Sequence, residues 1–158
     1  MVISSMNSLV KGINHITFSV SDLEVSLAFY QQIFDATLLL RSERMAYLDL
    51  SGLWLALNVQ EDIPRREILQ SYTHLAFTVE AQDMEQMEDR LRQLNVSLKP
   101  GRPRSAGEAL SLYFTDPDGH LLEVHSGDLV TRLKAYNNPS ALFGTRKDIL
   151  WNLLIQGD

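Results

Sequence analysis

Two stretches of this chain are copies of one strand-and-helix unit, and that repeat restricts the fold more than any other feature. Residues 12–20 and 71–79 each read as a strand that carries a histidine near its start, and residues 22–34 and 83–94 read as the amphipathic helices that follow. Strict alternation puts Ile16, Phe18 and Val20 on one face of the first strand, and Leu75, Phe77 and Val79 on one face of the second. The opposite faces carry His15, Thr17 and Ser19, and His74, Ala76 and Thr78. A strand with an apolar back and a histidine on its front is covered by helix on one side and lines a cavity on the other. Both histidines are therefore expected on one concave surface.

Each copy continues in the same order. After the first helix, which has Ser21 or Asp22 as N-cap and Leu23, Leu27, Tyr30 and Phe34 at helical spacing, strands are expected at 36–41, 45–50 and 53–59, with a tight reversal at Ser51 and Gly52. After the second, strands are expected at 96–99, 110–115 and 120–125, the last two joined by the turn Asp116, Pro117, Asp118, Gly119. The expected organisation is a lead-in over 1–10, a βαβββ module over 11–59, a linker over 60–70 broken by Pro64, a second βαβββ module over 71–127, and a helical tail over 128–158. That is an α+β chain whose two modules form a cupped mixed sheet. The tail holds a helix over 128–136 and a second apolar run over 149–155 with Trp151, which reads as packing surface.

At 158 residues and 45% hydrophobic, the chain can bury a substantial core. Its net charge of -6 argues against a nucleic-acid backbone as partner, because such binding rests on clustered lysine and arginine. No run reaches membrane-spanning length and no secretory leader is visible, so a cytoplasmic protein without membrane contact is expected. With no cysteine there is no thiolate ligand or cysteine nucleophile, and any thiol chemistry needs a thiol cosubstrate.

In the last strand Leu121, Glu123 and His125 share one face and Leu122 and Val124 the other. If the second pair packs under the helices, Glu123 points into the same cup as His15 and His74. Two imidazoles and a carboxylate make a divalent-metal site with open positions for substrate, suited to Mn, Fe or Zn. His125 is a rival for the third ligand, and His120, beside the turn, is expected to be exposed. Thr17, Tyr47, Trp54, Ser111 and Tyr113 fall on cup-facing phases, alternating with core-suited Leu48, Leu112 and Phe114. Arg132, Lys99, Arg102 and Arg104 would form a cationic rim, which implies an anionic substrate such as a phosphate or phosphonate.

The repeat, with His15 in GINHITFSVSDLE, His74 in QSYTHLAFTVE and Glu123 in YFTDPDGHLLEVHSGDL, resembles the vicinal oxygen chelate superfamily, and within it the fosfomycin resistance metalloenzymes. The stretch IPRREILQSYTHLAFTVE looks most like their FosB-type thiol transferases. The resemblance implies metal ligation by His15, His74 and Glu123, with Mn or Mg first among the ions and Zn, Ni or Fe as alternatives. It implies substrate contacts at Thr17, Trp54, Ser111, Tyr113 and Arg132, and further at Tyr47, Tyr72, Lys99 and Arg104, with Thr17, Tyr113 and Arg132 serving the reaction itself. It also implies a homodimer whose modules pair across chains, so that His15 completes a site in the neighbouring subunit.

Three branches of the resemblance separate on single residues. The hydrolase branch activates water with a glutamate where this chain has Met45, and Glu43 falls on the wrong phase. The glutathione branch uses a potassium loop that Glu108 and Ser111 match, but Ala109 replaces its glycine, which leaves potassium without its full loop. The FosB branch often has cysteine where this chain has Thr17. The activity implied is inactivation of fosfomycin, or a related phosphonate epoxide, by addition of bacillithiol or L-cysteine. The rivals are an epoxide hydrolase, a glutathione-using transferase or an Fe(II) extradiol dioxygenase on the same scaffold, and a metal-free drug-sequestering protein.

Overall fold

The structure, a computed structural model, describes residues 12–62, 71–101, 109–130 and 132. The expected lead-in, most of the linker, Arg102, Arg104 and Glu108 of the basic loop, and the tail beyond Arg132 lie outside these residues. Contacts group the described residues into two compact units: 12–62 together with 116–119, and 71–101, 109–115, 120–130 and 132.

In the first unit the order is β1 (Ile16–Val20), α1 (Leu23–Phe34), β2 (Thr37–Arg41), β3 (Met45–Leu50) and β4 (Leu53–Val59). The four strands form one mixed sheet in the order β1-β4-β3-β2, with β1 parallel to β4 and the other pairs antiparallel. Asp22 caps α1 by accepting from the Val25 N–H. The helix buries Leu23, Ser26, Leu27, Tyr30 and Ile33. Phe34, expected inward, is only half-buried, because the left-handed Asp35 ends the helix there and Ile33 takes the inward place. The reversal between β3 and β4 is a two-residue turn with positive φ at both Ser51 and Gly52, and the Gly52 N–H donates to Asp49 Oδ1 at 2.6 Å. Strand β2 lies at the sheet edge with every residue exposed, and its pairing with β3 slips at Leu39 in a bulge.

The turn Asp116–Gly119 is tied into this unit by a buried polar cluster. Asp118 accepts the Ser21 N–H at 2.9 Å and lies 3.5 Å from the Ser26 hydroxyl, while the fully buried Tyr30 donates its hydroxyl to Asp116 Oδ2 at 2.9 Å.

The second unit repeats the order: β5 (His74–Thr78), a short 3-10 turn, α2 (Met84–Gln93), β6 (Leu98–Lys99), β7 (Ser111–Thr115) and β8 (Leu121–His125). Its sheet runs β5-β8-β7-β6, again with one parallel pair, β5 with β8. The two βαβββ modules expected from the repeat are thus the observed architecture. Phe114, Leu122 and Val124 form the buried back of this sheet together with Leu91 of α2. His120 is half-buried rather than exposed, because the turn beside it is itself buried at Asp116, Asp118 and Gly119.

Candidate metal centre

The expected metal ligands divide between the units, His15 in the first and His74 and Glu123 in the second. His74 opens β5 and Glu123 stands in the middle of β8. Because β5 and β8 pair in parallel with His74 opposite Leu121 and Ala76 opposite Glu123, the two ligand candidates are diagonal neighbours on one face. His74 Nε2 lies 3.0 Å from Glu123 Oε2. The other ring nitrogen, Nδ1, is 2.8 Å from the Tyr72 carbonyl oxygen. A carbonyl only accepts, so Nδ1 carries a hydrogen, and Nε2 is the ring atom turned toward a carboxylate oxygen. Two electron-pair donors at that distance need a cation between them, a proton or a metal ion. This donor set, with the imidazole oriented by a backbone carbonyl, fits a divalent ion.

Glu123 is buried. Burial alone would raise its pKa, but hydrogen bonds from Ser111 and Tyr113, and the nearby His74 and His125, outweigh that and hold the carboxyl below its ordinary value. Ser111 donates to Glu123 Oε1 and lies 2.7 Å from His125 Nδ1. Tyr113 is buried at the foot of the pair, its ring edge-on to His74 at 5.8 Å. Burial first, then the Tyr72 and Glu123 neighbours, push the Tyr113 hydroxyl well above the usual tyrosine range, so it remains a proton donor. Tyr72, half exposed, reaches the Tyr113 hydroxyl at 3.4 Å and packs edge-on against His74.

In the first unit His15 immediately precedes β1. Its Nδ1 lies 2.7 Å from Asn14 Oδ1, and its ring packs at 4.5 Å against Trp54. Tyr47 stands edge-on to Trp54 at 5.0 Å. The Trp54 indole N–H is buried with no hydrogen-bond partner among the described residues. Thr17 and Lys99 are exposed. Arg132 is half-buried, one helical turn after Asp128, whose carbonyl accepts its N–H at 3.1 Å. Arg104 lies outside the described residues. Among the described residues no three His, Asp or Glu side chains gather as one metal-binding group.

His125, a rival ligand on the sequence pattern, instead lies 2.7 Å from Ser111 Oγ, which donates to Glu123. Counting outward from the four-residue turn Asp116–Gly119 would pair Tyr113 with Leu122, whereas the observed register is one residue further on, with Tyr113 opposite Glu123 and Ser111 opposite His125, because His120 stays outside the ladder.

Residues 12–124 match the family model of the Glyoxalase/Bleomycin resistance protein/Dioxygenase superfamily. The chain belongs to this superfamily. Among glyoxalase-superfamily proteins it is 48% identical to the metallothiol transferase FosB of Bacillus licheniformis, over 84% of this chain and 86% of that one. It is 53% identical to the FosB of Lysinibacillus sphaericus, over 80% and 90%. Among solved glyoxalase-superfamily structures, a mutant of the fosfomycin resistance protein FosX from Listeria monocytogenes, complexed with Mn(II) and dihydroxypropylphosphonic acid, superposes with a TM-score of 0.74. That protein is 36% identical, and the match covers 82% of this chain and all of that one. The expected likeness to fosfomycin resistance enzymes, and to the FosB type in sequence, is borne out. Among the described residues no helix is long and apolar enough to cross a membrane.

Proposed function

We propose that this chain is a metallothiol transferase that inactivates fosfomycin by adding a low-molecular-weight thiol, bacillithiol or L-cysteine, to its epoxide. The observation that carries the reading is the His74–Glu123 pair, two ligand atoms 3.0 Å apart with the imidazole already oriented for a metal, in a chain about half identical to FosB metallothiol transferases. His15, His74 and Glu123 would hold the ion, Mn or Mg before Zn, Ni or Fe, with His15 supplied by a second copy of the chain in a cytoplasmic homodimer. A divalent ion held there supplies Lewis acidity to the epoxide.

The chain's own groups do the rest. The C–S bond forms as the epoxide C–O bond breaks, the electron pair passes to the epoxide oxygen, and that oxygen then takes up a proton. Arg132 and Lys99, with Arg104, hold the phosphonate and so fix the carbon for in-line attack. Tyr113, kept protonated by burial, donates to Glu123 and so steadies the ligating carboxylate, and Thr17 hydrogen-bonds near the reacting oxygen. Trp54, Tyr47 and Tyr72 line the approach. The thiol enters from solution, because the chain has no cysteine.

Hydrolysis is the second reading, favoured by the FosX neighbour that holds a dihydroxypropylphosphonic acid. Against it stands Met45, a thioether with no acid–base capacity at the start of β3, where the hydrolase branch is expected to carry its glutamate. The test is to incubate Mn-loaded protein and fosfomycin with bacillithiol, L-cysteine, glutathione or water alone, following product by phosphorus NMR. A thiol adduct is expected. A diol formed without thiol would establish the hydrolase instead, and bound but unaltered fosfomycin would establish sequestration.

A further inference from the structure

We propose that His125 is a positioning residue which, acting through Ser111, holds Oε1 of Glu123 away from the metal and leaves Oε2 as its single ligating oxygen; this rests on the metal-site reading above.

The argument starts from a backbone carbonyl. Leu110 O lies 3.0 Å from His125 Nδ1 and is itself fixed by the Ser126 N–H at 3.0 Å. A carbonyl cannot donate, so the Nδ1 of His125 carries the hydrogen, and its tautomer is set. The same N–H faces Ser111 Oγ at 2.7 Å. The Ser111 oxygen therefore accepts from His125, and its one hydrogen is directed to Glu123 Oε1. The relay has one sense only: His125 Nδ1–H to Ser111 Oγ–H to Glu123 Oε1. His125 does not reach the carboxylate itself, because Nδ1 is 3.7 Å from Oε1, beyond hydrogen-bond range. With Oε1 engaged on this side, Oε2 is the atom presented to His74 Nε2.

The chain makes room for this arrangement at Gly127. A Cβ there would stand 2.8 Å from His125 Nε2 and 2.5 Å from the Ala109 Cβ, closer than side-chain carbons come. A glycine two residues after the histidine lets the imidazole lie against the backbone, where its Nδ1 meets Leu110 O. The register of β7 and β8 supplies the remaining placement, since Ser111 is directly opposite His125 and Tyr113 directly opposite Glu123.

The test measures Mn(II) affinity, by the EPR signal of free Mn(II), in the full chain and in Ser111→Ala, His125→Phe, His125→Asn and Glu123→Gln variants. His125→Phe removes the N–H, whereas the amide of His125→Asn can restore a donor at the same place. Loss of a group that orients a ligand lowers metal affinity about 10- to 100-fold, so that loss is expected for Phe and for Ser111→Ala, with Asn restoring most of it. The Ser111→Ala, His125→Phe double variant is expected to be no weaker than either single one, because both cut one relay. Wild-type affinity in Ser111→Ala or in folded His125→Phe, alongside a loss in Glu123→Gln, overturns the positioning role alone. Equal loss in folded Asn and Phe variants, which a merely structural role predicts, also overturns it. Undiminished affinity in Glu123→Gln overturns the metal-site reading and this proposal with it. Should His125→Phe not fold, as judged by near-ultraviolet circular dichroism, Ser111→Ala and His125→Asn decide the matter.

Discussion

Removing one oxygen atom from Tyr30 should cost this protein a large part of its stability. Tyr30 is fully buried on α1, and its hydroxyl donates to Asp116 Oδ2 at 2.9 Å, while Asp116, also buried, takes the Asp118 N–H on its other oxygen at 3.1 Å. Tyr30→Phe keeps the ring and its contacts with Phe18, Phe29 and Phe34 and removes only the donor. A hydrogen bond to a charged acceptor is worth about 1.5–3 kcal/mol, and the buried carboxylate is left poorer by that much, so a loss of about 2 kcal/mol is expected. In a chain of this size that corresponds to a fall in Tm of roughly 4–8 °C. Urea unfolding of both proteins, with matched m-values, measures it. A change of under about 0.5 kcal/mol, the size of an ordinary surface substitution, would refute the reasoning. The pH dependence supplies an independent check. Burial first, then the charges of Asp116 and Asp118, raise the Tyr30 pKa well above 10.0, so the folded state holds this proton more tightly than the unfolded chain. Its contribution is therefore complete below pH 10 and is lost as the pH rises above it. Tyr30→Phe should flatten that part of the alkaline decline, and an unchanged slope would show that the hydroxyl is not the group responsible.

Three further outcomes are expected. Glu123→Gln should lose Mn(II) binding by at least about 10-fold while keeping its far-ultraviolet circular dichroism, since removing a charged ligand leaves the strand ladder intact; calorimetric titration checks it. Trp54→Phe removes a buried N–H that has no hydrogen-bond partner among the described residues, so stability should change by less than about 1 kcal/mol while KM for fosfomycin rises. A larger destabilisation at constant KM would mean that the indole serves packing alone. Gly127→Ala should destabilise by about 1–3 kcal/mol through overpacking against Ala109 and His125, and a neutral result in urea unfolding would show that the backbone gives way freely there.

Much of the architecture was legible because period-two alternation and turn chemistry are local signals. The Ser51–Gly52 reversal sets the register of the first hairpin, the Asp116–Gly119 turn marks the second but misses its register by one residue, and alternation within β5 and β8 places His74 and Glu123 on one face. What escaped was set by tertiary contact. Strand starts such as Thr73 and Ser97 depend on which neighbours continue the ladder, and β6 begins only at Leu98 for that reason. Phe34 and Ile33 exchange roles because the left-handed Asp35 stops the helix, a conformation that its sequence tolerates but does not require. His120 reads as a turn-side polar residue, yet the turn is drawn inward by Ser21, Ser26 and Tyr30, residues about 90 positions earlier. The contacts of His125 depend on its register opposite Ser111 and on the carbonyl of Leu110, and neither follows from counting outward from the turn.

The parallel pairing of β5 with β8 bears on how fast an ion can come and go. His74 and Glu123 are anchored to backbones already hydrogen-bonded to one another, so an ion held by this pair as proposed would be freed by rotation about side-chain bonds, with no separation of strands. Exchange of the ion is thereby decoupled from unfolding. A chelator should strip it on the time scale of side-chain motion and leave behind a folded chain, with the apo and loaded forms differing in stability only by mass action, in proportion to the logarithm of free ion over its dissociation constant.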